Sequence, residues 1–177
     1  MSDDVRPVGD ADLVIRRLAP TDSLAELTAL LNRAYRQLLD MGLRYVATWQ
    51  DEEITRRRIE GAECWVAVQG DRLVSTIALY PPGRGKGHPY YEQAGVAKIG
   101  QFGVEPELQG SGLGSRMMDR VEERARELGA TELAGDTAEP AAHLHAFYER
   151  RGYRVVGRIN WDMVNYESLI RSKTIAT

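Results

Sequence analysis

Gln109-Gly110-Ser111-Gly112-Leu113-Gly114-Ser115 joins two segments of different periodicity. Before it runs Lys98-Ile-Gly-Gln-Phe-Gly-Val104, a β-rich apolar stretch that reads as a strand. After it, Leu113, Met117, Val121, Ala125 and Leu128 recur at helical spacing, with Gly129 as the stop signal. Glu122, Glu123, Arg124 and Arg126 fall on the remaining faces and are expected to meet water. Glycines at alternate positions bring backbone N–H groups together with no side chains in the way. A helix start adds unpaired N–H groups and the positive end of its dipole. The turn therefore reads as a cradle for a phosphate or pyrophosphate.

Two familiar phosphate loops fit poorly. A P-loop requires G-x-x-x-x-G-K-[ST], and no lysine follows these glycines. The dinucleotide fingerprint requires G-x-G-x-x-G on the first strand–helix turn, whereas Gly110, Gly112 and Gly114 give G-x-G-x-G in mid-chain. Glu132 does lie about 20 residues on, where a ribose-binding acid would sit, so a nucleotide-binding oxidoreductase stays in competition.

Val104-Glu-Pro-Glu-Leu-Gln-Gly-Ser-Gly-Leu-Gly-Ser115 resembles the acyl-coenzyme A loop of the GNAT N-acetyltransferase superfamily. Ala146-Phe-Tyr-Glu-Arg-Arg-Gly-Tyr153, about 35 residues further on, resembles that family's late helix with its tyrosine and closing Gly-aromatic pair. The resemblance covers Val66 to Val156 and extends in weaker form from Leu13 to Lys173. It implies a GNAT-like α/β (α+β) fold: a mixed, mostly antiparallel central sheet flanked by helices and splayed between strands 4 and 5. It also implies acetyl-CoA as cofactor.

Composition agrees with one ordinary globular domain over residues 11–177, preceded by a polar, flexible lead-in at residues 1–10. The chain has 177 residues, 43% of them apolar and 28% charged, enough to bury a core. A net charge of −3 gives no reason to expect nucleic acid or a membrane surface as partner. No run approaches a spanning helix and no signal peptide opens the chain, so a cytoplasmic protein is expected. A single cysteine, Cys64, excludes an internal disulfide framework. It begins an apolar strand and reads as a small core residue, not a nucleophile.

Along the chain, Leu13–Arg17 reads as a strand. Ser23 with Glu26 forms a capping box for a helix carrying Leu24, Leu27, Leu31, Ala34 and Leu38. Asp51, Glu52 and Glu53 followed by Arg56, Arg57, Arg58 and Gly61 suit a second helix. Cys64–Gln69 and Arg72–Tyr80 form a hairpin about Gly70-Asp71. Pro81–Gly95 is an irregular loop. Thr131–Asp136 is a strand, Ala141–Arg151 a helix, and Arg154–Ile159 with Trp161–Leu169 a closing hairpin.

Acetyl transfer from a thioester to an amine requires a held pyrophosphate, a polarised carbonyl, a deprotonated amine and a protonated leaving thiolate. Backbone N–H groups of Gly110 to Ser115, with Gln109 and Leu113 in the same loop, suit the first task. The resemblance places Phe102, Gly103 and Val104 beside the pantetheine arm, one of their N–H groups polarising the carbonyl. Tyr148 matches the family tyrosine and is the candidate general acid, since a phenol stays protonated at neutral pH. The base is open. Gln101 on strand 4 cannot serve. Asp136 stands where some family members carry a glutamate, but also suits a turn before Pro140. Where the family often has an asparagine, this chain has Ala141. His145 shares a helix face with Tyr148 and could substitute for that asparagine or act as base. Water is the third option. His143 and His145, two apart, make no metal site on a helix, and none is expected.

The acceptor is a primary amine on a small molecule, an amino acid or a peptide N-terminus. In the family the first two helices and their connection cover it, which points to Tyr45 and Trp49, with Trp161 and Tyr166 later in the chain. A homodimer is compatible with the reading. A catalytically silent acyl-CoA sensor on the same fold competes with the enzyme, and the intact Tyr148 argues against it.

Overall fold

The computed structural model describes residues 12–176; the expected lead-in at residues 1–10 lies outside them. The strands are β1 (Leu13–Arg17), β2 (Glu63–Gln69), β3 (Arg72–Tyr80), β4 (Val96–Val104), β5 (Glu132–Ala138), β6 (Arg154–Ile159) and β7 (Ser168–Thr174). The helices are α1 (Leu24–Ala34), α2 (Arg36–Asp40), α3 (Glu52–Ile59), α4 (Pro89–Glu92), α5 (Leu113–Glu127) and α6 (Ala142–Arg150). The strands form one sheet in the order β1-β2-β3-β4-β5-β7-β6. Every neighbouring pair is antiparallel except β4–β5, which is parallel. This is the expected mixed, mostly antiparallel sheet.

Alternation in β2 explains why both faces are covered. Trp65 and Ala67 join the cluster under α5, with Leu113, Met117, Val121 and Ala125. Cys64 and Val66 join the opposite cluster with Leu27 and Leu30 of α1. Cys64 is buried, and burial pushes its thiol up. A one-residue register slip would exchange its Trp65–Ala67 and Cys64–Val66 sets between the two clusters and mismatch both.

The site-forming feature is where β4 and β5 part. They pair only through Val96–Glu132, Ala97–Leu133 and Lys98–Ala134. β5 then stays with β7 along its whole length, from Glu132–Thr174 to Ala138–Ser168. β4 stays with β3 but slips: Ala78 faces Gly100 and Thr76 faces Gly103, so Gln101 and Phe102 share one partner position. Gln101 sits at φ 51, the non-glycine residue with positive φ among those described. An extra residue in one strand bends it and sharpens its twist, which turns β4 away from β5.

Five details differ from the sequence reading. The expected irregular loop Pro81–Gly95 carries a short helix, α4, whose cap His88 accepts from the Tyr90 N–H. The first helix breaks at Tyr35 instead of running to Leu38, giving α1 and α2. Ser23 caps α1 as expected, accepting from the Glu26 N–H at 3.1 Å, but the Glu26 carboxylate turns away to accept from the Leu73 N–H at 2.8 Å. Glu122 does not meet water: it is buried and accepts from Tyr153 Oη, Arg151 Nη2 and Lys173 Nζ. The closing strand is not Trp161–Leu169 but β7, Ser168–Thr174. Asn165 ties the intervening loop to the turn after α2, accepting from the Arg44 N–H and donating to the Gly42 carbonyl, which an extended strand would not allow.

Candidate functional site

The glycine loop folds as its spacing predicts. Gly112 caps α5 in the left-handed region at φ 90, and Gly110 lies at φ 81. No side chain caps the helix. Among the described residues the N–H groups of Gly110, Gly112, Gly114 and Ser115 have no intramolecular partner. A Cβ on Gly110 or Gly112 would meet nothing within 4 Å, so the space in front of the turn is open. Unpaired donors at the positive end of a helix, facing open space, fit a pyrophosphate. The Gln109 side chain serves the loop's shape, donating to the Val104 carbonyl at 3.1 Å. A groove of about 500 Å³ lined by Arg33, Ala34, Gln37, Pro106 and Gln109 opens beside it.

From the loop the path leads along β4 into the splay. Phe102 packs on Phe147 of α6, with ring centroids 6.2 Å apart, and its N–H faces the Tyr35 hydroxyl. Gly103 is set by close packing: a Cβ there would come 2.9 Å from Ala34 Cβ. Val104 packs against the main core beside Phe102. These three positions therefore line the edge of β4 that β5 has left.

Beside the splay, Asp136 lies within electrostatic reach of Tyr148. Asp136 Oδ1 accepts from Tyr91 Oη at 2.5 Å and its Oδ2 from Trp161 Nε1 at 2.8 Å. The carboxylate is thus aimed by donors from α4 and from the loop after β6, and it keeps lone pairs free. Tyr148 packs edge-on against Phe147 and Tyr153, and its hydroxyl has no hydrogen-bond partner among the described residues. Burial, with Tyr35, Tyr45 and Asp136 nearby, pushes its phenol far above the ordinary value. Its proton is therefore held at neutral pH.

Tyr45 forms part of the same wall. Its hydroxyl accepts from the Ala138 N–H at 2.9 Å, and its ring stacks between Tyr35 and Tyr166 at 5.2 and 4.6 Å. Trp49 does not join this wall and is 44% exposed. His145 is buried with both ring nitrogens engaged: Nδ1 accepts from Arg171 Nε at 2.9 Å and Nε2 faces the Ala138 carbonyl at 3.0 Å. Neither nitrogen is free to take a proton from an amine. Glu132 is equally occupied, by Tyr90, Ser172 and Arg154, and cannot serve as a ribose-binding acid.

Two residues that the sequence reading did not single out as site residues lie within electrostatic reach of Asp136. Lys98, at the last β4–β5 pair, has its ammonium 4.7 Å from the Tyr91 ring centroid, 5.1 Å from Trp161 and 5.5 Å from Tyr80. Arg58 of α3 donates to Gln50 Oε1 at 2.8 Å and lies against the Gln101 amide. Their signals were positional. Lys98 interrupts an otherwise apolar strand, and Arg58 follows buried Thr55 by three residues, on one helix face.

Comparison with known proteins gives a consistent picture. The profile of the acetyltransferase (GNAT) family matches residues 24–153. The chain is 30% identical over 139 residues to the S-(2-succino)cysteine N-acetyltransferase of Bacillus subtilis (strain 168), covering 77% of this chain and 82% of that one. It is 29% identical over 144 residues to the S-alkylcysteine N-acetyltransferase of the same organism, covering 80% and 79%. Among solved structures, a GNAT family acetyltransferase from Elizabethkingia anophelis with acetyl-CoA bound superposes with TM-score 0.66 at 13% identity, covering 93% of this chain and 99% of that one.

Proposed function

The chain belongs to the GNAT family of acetyltransferases and is an acetyl-CoA-dependent N-acetyltransferase, and from that premise we propose that its acceptor is the primary amine of a small S-substituted cysteine or a close analogue. The observation that carries the reading is a carboxylate, Asp136, oriented by Tyr91 and Trp161 within electrostatic reach of the unpartnered Tyr148 hydroxyl, with the unpaired N–H groups of Gly110, Gly112, Gly114 and Ser115 in the loop that follows β4. The two Bacillus relatives, named for cysteine thioethers, supply the acceptor class.

When bound, acetyl-CoA supplies an activated acetyl thioester. The loop from Gln109 to Ser115 holds the pyrophosphate through backbone donors, Leu113 anchoring the first helical turn in the core. Phe102, Gly103 and Val104 offer the free edge of β4, and the Phe102 N–H is the donor aimed into the splay. Asp136 takes a proton from the acceptor ammonium, directly or through water, while Tyr91 and Trp161 keep its oxygens in place. Tyr148 Oη holds a proton for the leaving sulfur. Tyr45 walls the acceptor chamber, and Trp49 stands outside that wall. His145 positions α6 against Ala138 and Arg171.

A panel of amines with acetyl-CoA and free-thiol detection tests this. S-alkyl and S-benzyl cysteines should turn over faster than polyamines or peptides. Thiol release with none of the amines would refute the acceptor reading.

A further inference from the structure

The described residues pair their half-buried cations with care. Arg16, Arg33, Arg120, Arg124, Arg151, Arg171 and Lys173 each have a carboxylate within 4 Å. Arg58 and Lys98 are half-buried too, and among the described residues neither has such a partner. Burial pushes both below their ordinary values, and the Arg58 charge lowers Lys98 further. Asp136 is the carboxylate within their electrostatic reach, and its two oxygens already accept from Tyr91 and Trp161. Two desolvated cations thus share one carboxylate that is committed elsewhere.

Packing does not account for this. The Tyr80, Tyr91 and Trp161 faces attract the Lys98 ammonium but supply no counter-charge. Gln50 and Gln101 give Arg58 neutral acceptors only. Tyr80 links the pair, its ring near Lys98 and its hydroxyl donating to the Arg58 carbonyl. Uncompensated buried charge is costly, and a site that tolerates it is fitted for an incoming group of opposite sign.

Resting on the acceptor reading above, we propose that Arg58 and Lys98 seat a carboxylate of the acceptor, so that the enzyme selects α-amino acids over amines lacking the acid. The placement suits that class. Asp136 receives the ammonium while the two cations within its electrostatic reach receive the carboxylate, and in an α-amino acid these two groups are neighbours. Arg58 offers a planar fork and Lys98 a point charge.

The test compares S-benzylcysteine, its carboxamide and S-benzylcysteamine in wild type, R58Q and K98M. Wild type should prefer the acid by about 10²-fold in kcat/KM, as expected for charge-assisted hydrogen bonds to a desolvated carboxylate. Each variant should shrink that preference about tenfold or more, chiefly through acceptor KM, with the acetyl-CoA KM unchanged. R58K should retain more preference than R58Q. Stabilisation by acetyl-CoA in a melting curve verifies that each variant is folded; should R58Q not fold, K98M and the wild-type preference decide. Equal use of acid and amide by wild type, or an undiminished preference in the folded variants, overturns the carboxylate seat while leaving the acceptor amine intact. Failure to acetylate any of the three overturns the acceptor reading and this proposal together.

Discussion

Replacing Asp136 by asparagine separates charge from shape. The carboxylate accepts from Tyr91 Oη at 2.5 Å and from Trp161 Nε1 at 2.8 Å. An amide offers one oxygen and one NH2. The indole N–H can only donate, so the amide oxygen must face Trp161. The NH2 then faces Tyr91, whose hydroxyl can accept as readily as donate. Both contacts survive in neutral form, and the stability cost is the difference between charge-assisted and neutral hydrogen bonds, about 1 kcal/mol each. Catalysis has no such substitute, because an amide cannot take a proton. Turnover at neutral pH should fall about 10²-fold or more, the range for loss of a positioned base. The acetyl-CoA dissociation constant, measured by calorimetry, should not move. The deficit should narrow as pH rises towards the amine's own pKa of about 8–10, where free amine no longer needs a base. An Asp136→Asn enzyme with wild-type kcat at neutral pH, or a deficit that stays constant with pH, would refute the base assignment.

Tyr148→Phe keeps the rings packed against Phe147 and Tyr153 and should lower kcat about 10²-fold while acetyl-CoA still binds; steady-state kinetics with unchanged kcat would remove the hydroxyl from the reaction. Gly112→Val forces a branched residue to φ 90 at about 1–2 kcal/mol and blocks the open face of the loop; acetyl-CoA binding should vanish in calorimetry with the circular dichroism spectrum intact, and retained affinity would exclude the loop as cradle. Glu132 feels burial pushing its carboxyl up, but hydrogen bonds from Ser172, Tyr90 and Arg154 win and hold it at about 2, below its ordinary 4.5. A depressed carboxyl stabilises the fold above its unfolded value and loses that contribution as pH falls through the folded one. Glu132→Gln should therefore cost about 2 kcal/mol at pH 7 in urea melts and almost nothing near pH 2; an equal cost at both would show that the charge is irrelevant.

Legibility followed locality. The glycine loop was readable because alternate glycines and a 3.6-residue period sit side by side in the chain, and both signals act within a few residues. The Gly70-Asp71 hairpin, the Ser23 cap and the acid-to-base helix α3 were readable for the same reason. Arg58 was not, because Arg56-Arg57-Arg58 looks like a basic helix end. What singles out the third arginine is the direction of the sheet, and the helix's own sequence does not contain it. Glu122 was misread for a similar reason: its partners arrive from the turn after α6 and from β7, up to 51 residues away. Trp161 to Tyr166 imitated a strand by composition, while Asn165 and Trp161 were drawn to Gly42 and Asp136 by contacts over 100 residues and 25 residues distant. Asp136 and Tyr148 were named from chemistry and motif; the donors that orient Asp136 could be seen only in three dimensions.

Gln101 links the two halves of the site through one distortion. A side chain at φ 51 is strained by about 1–3 kcal/mol and persists only where its surroundings enforce it. Here the enforcing contacts are the β3 register on one side and the Gln50–Arg58 cluster on the other. The bulge turns β4 out of line with β5, which opens the splay, and directs the Phe102 N–H to the Tyr35 hydroxyl. The same residue's side chain fastens α3, and with it Arg58, to β4. Edge donors for the cofactor and a cation for the acceptor are therefore set by one backbone irregularity. A residue without an amide at this position would keep the extra residue in β4 yet leave Arg58 less firmly placed, so loss of acceptor selectivity should precede loss of cofactor binding.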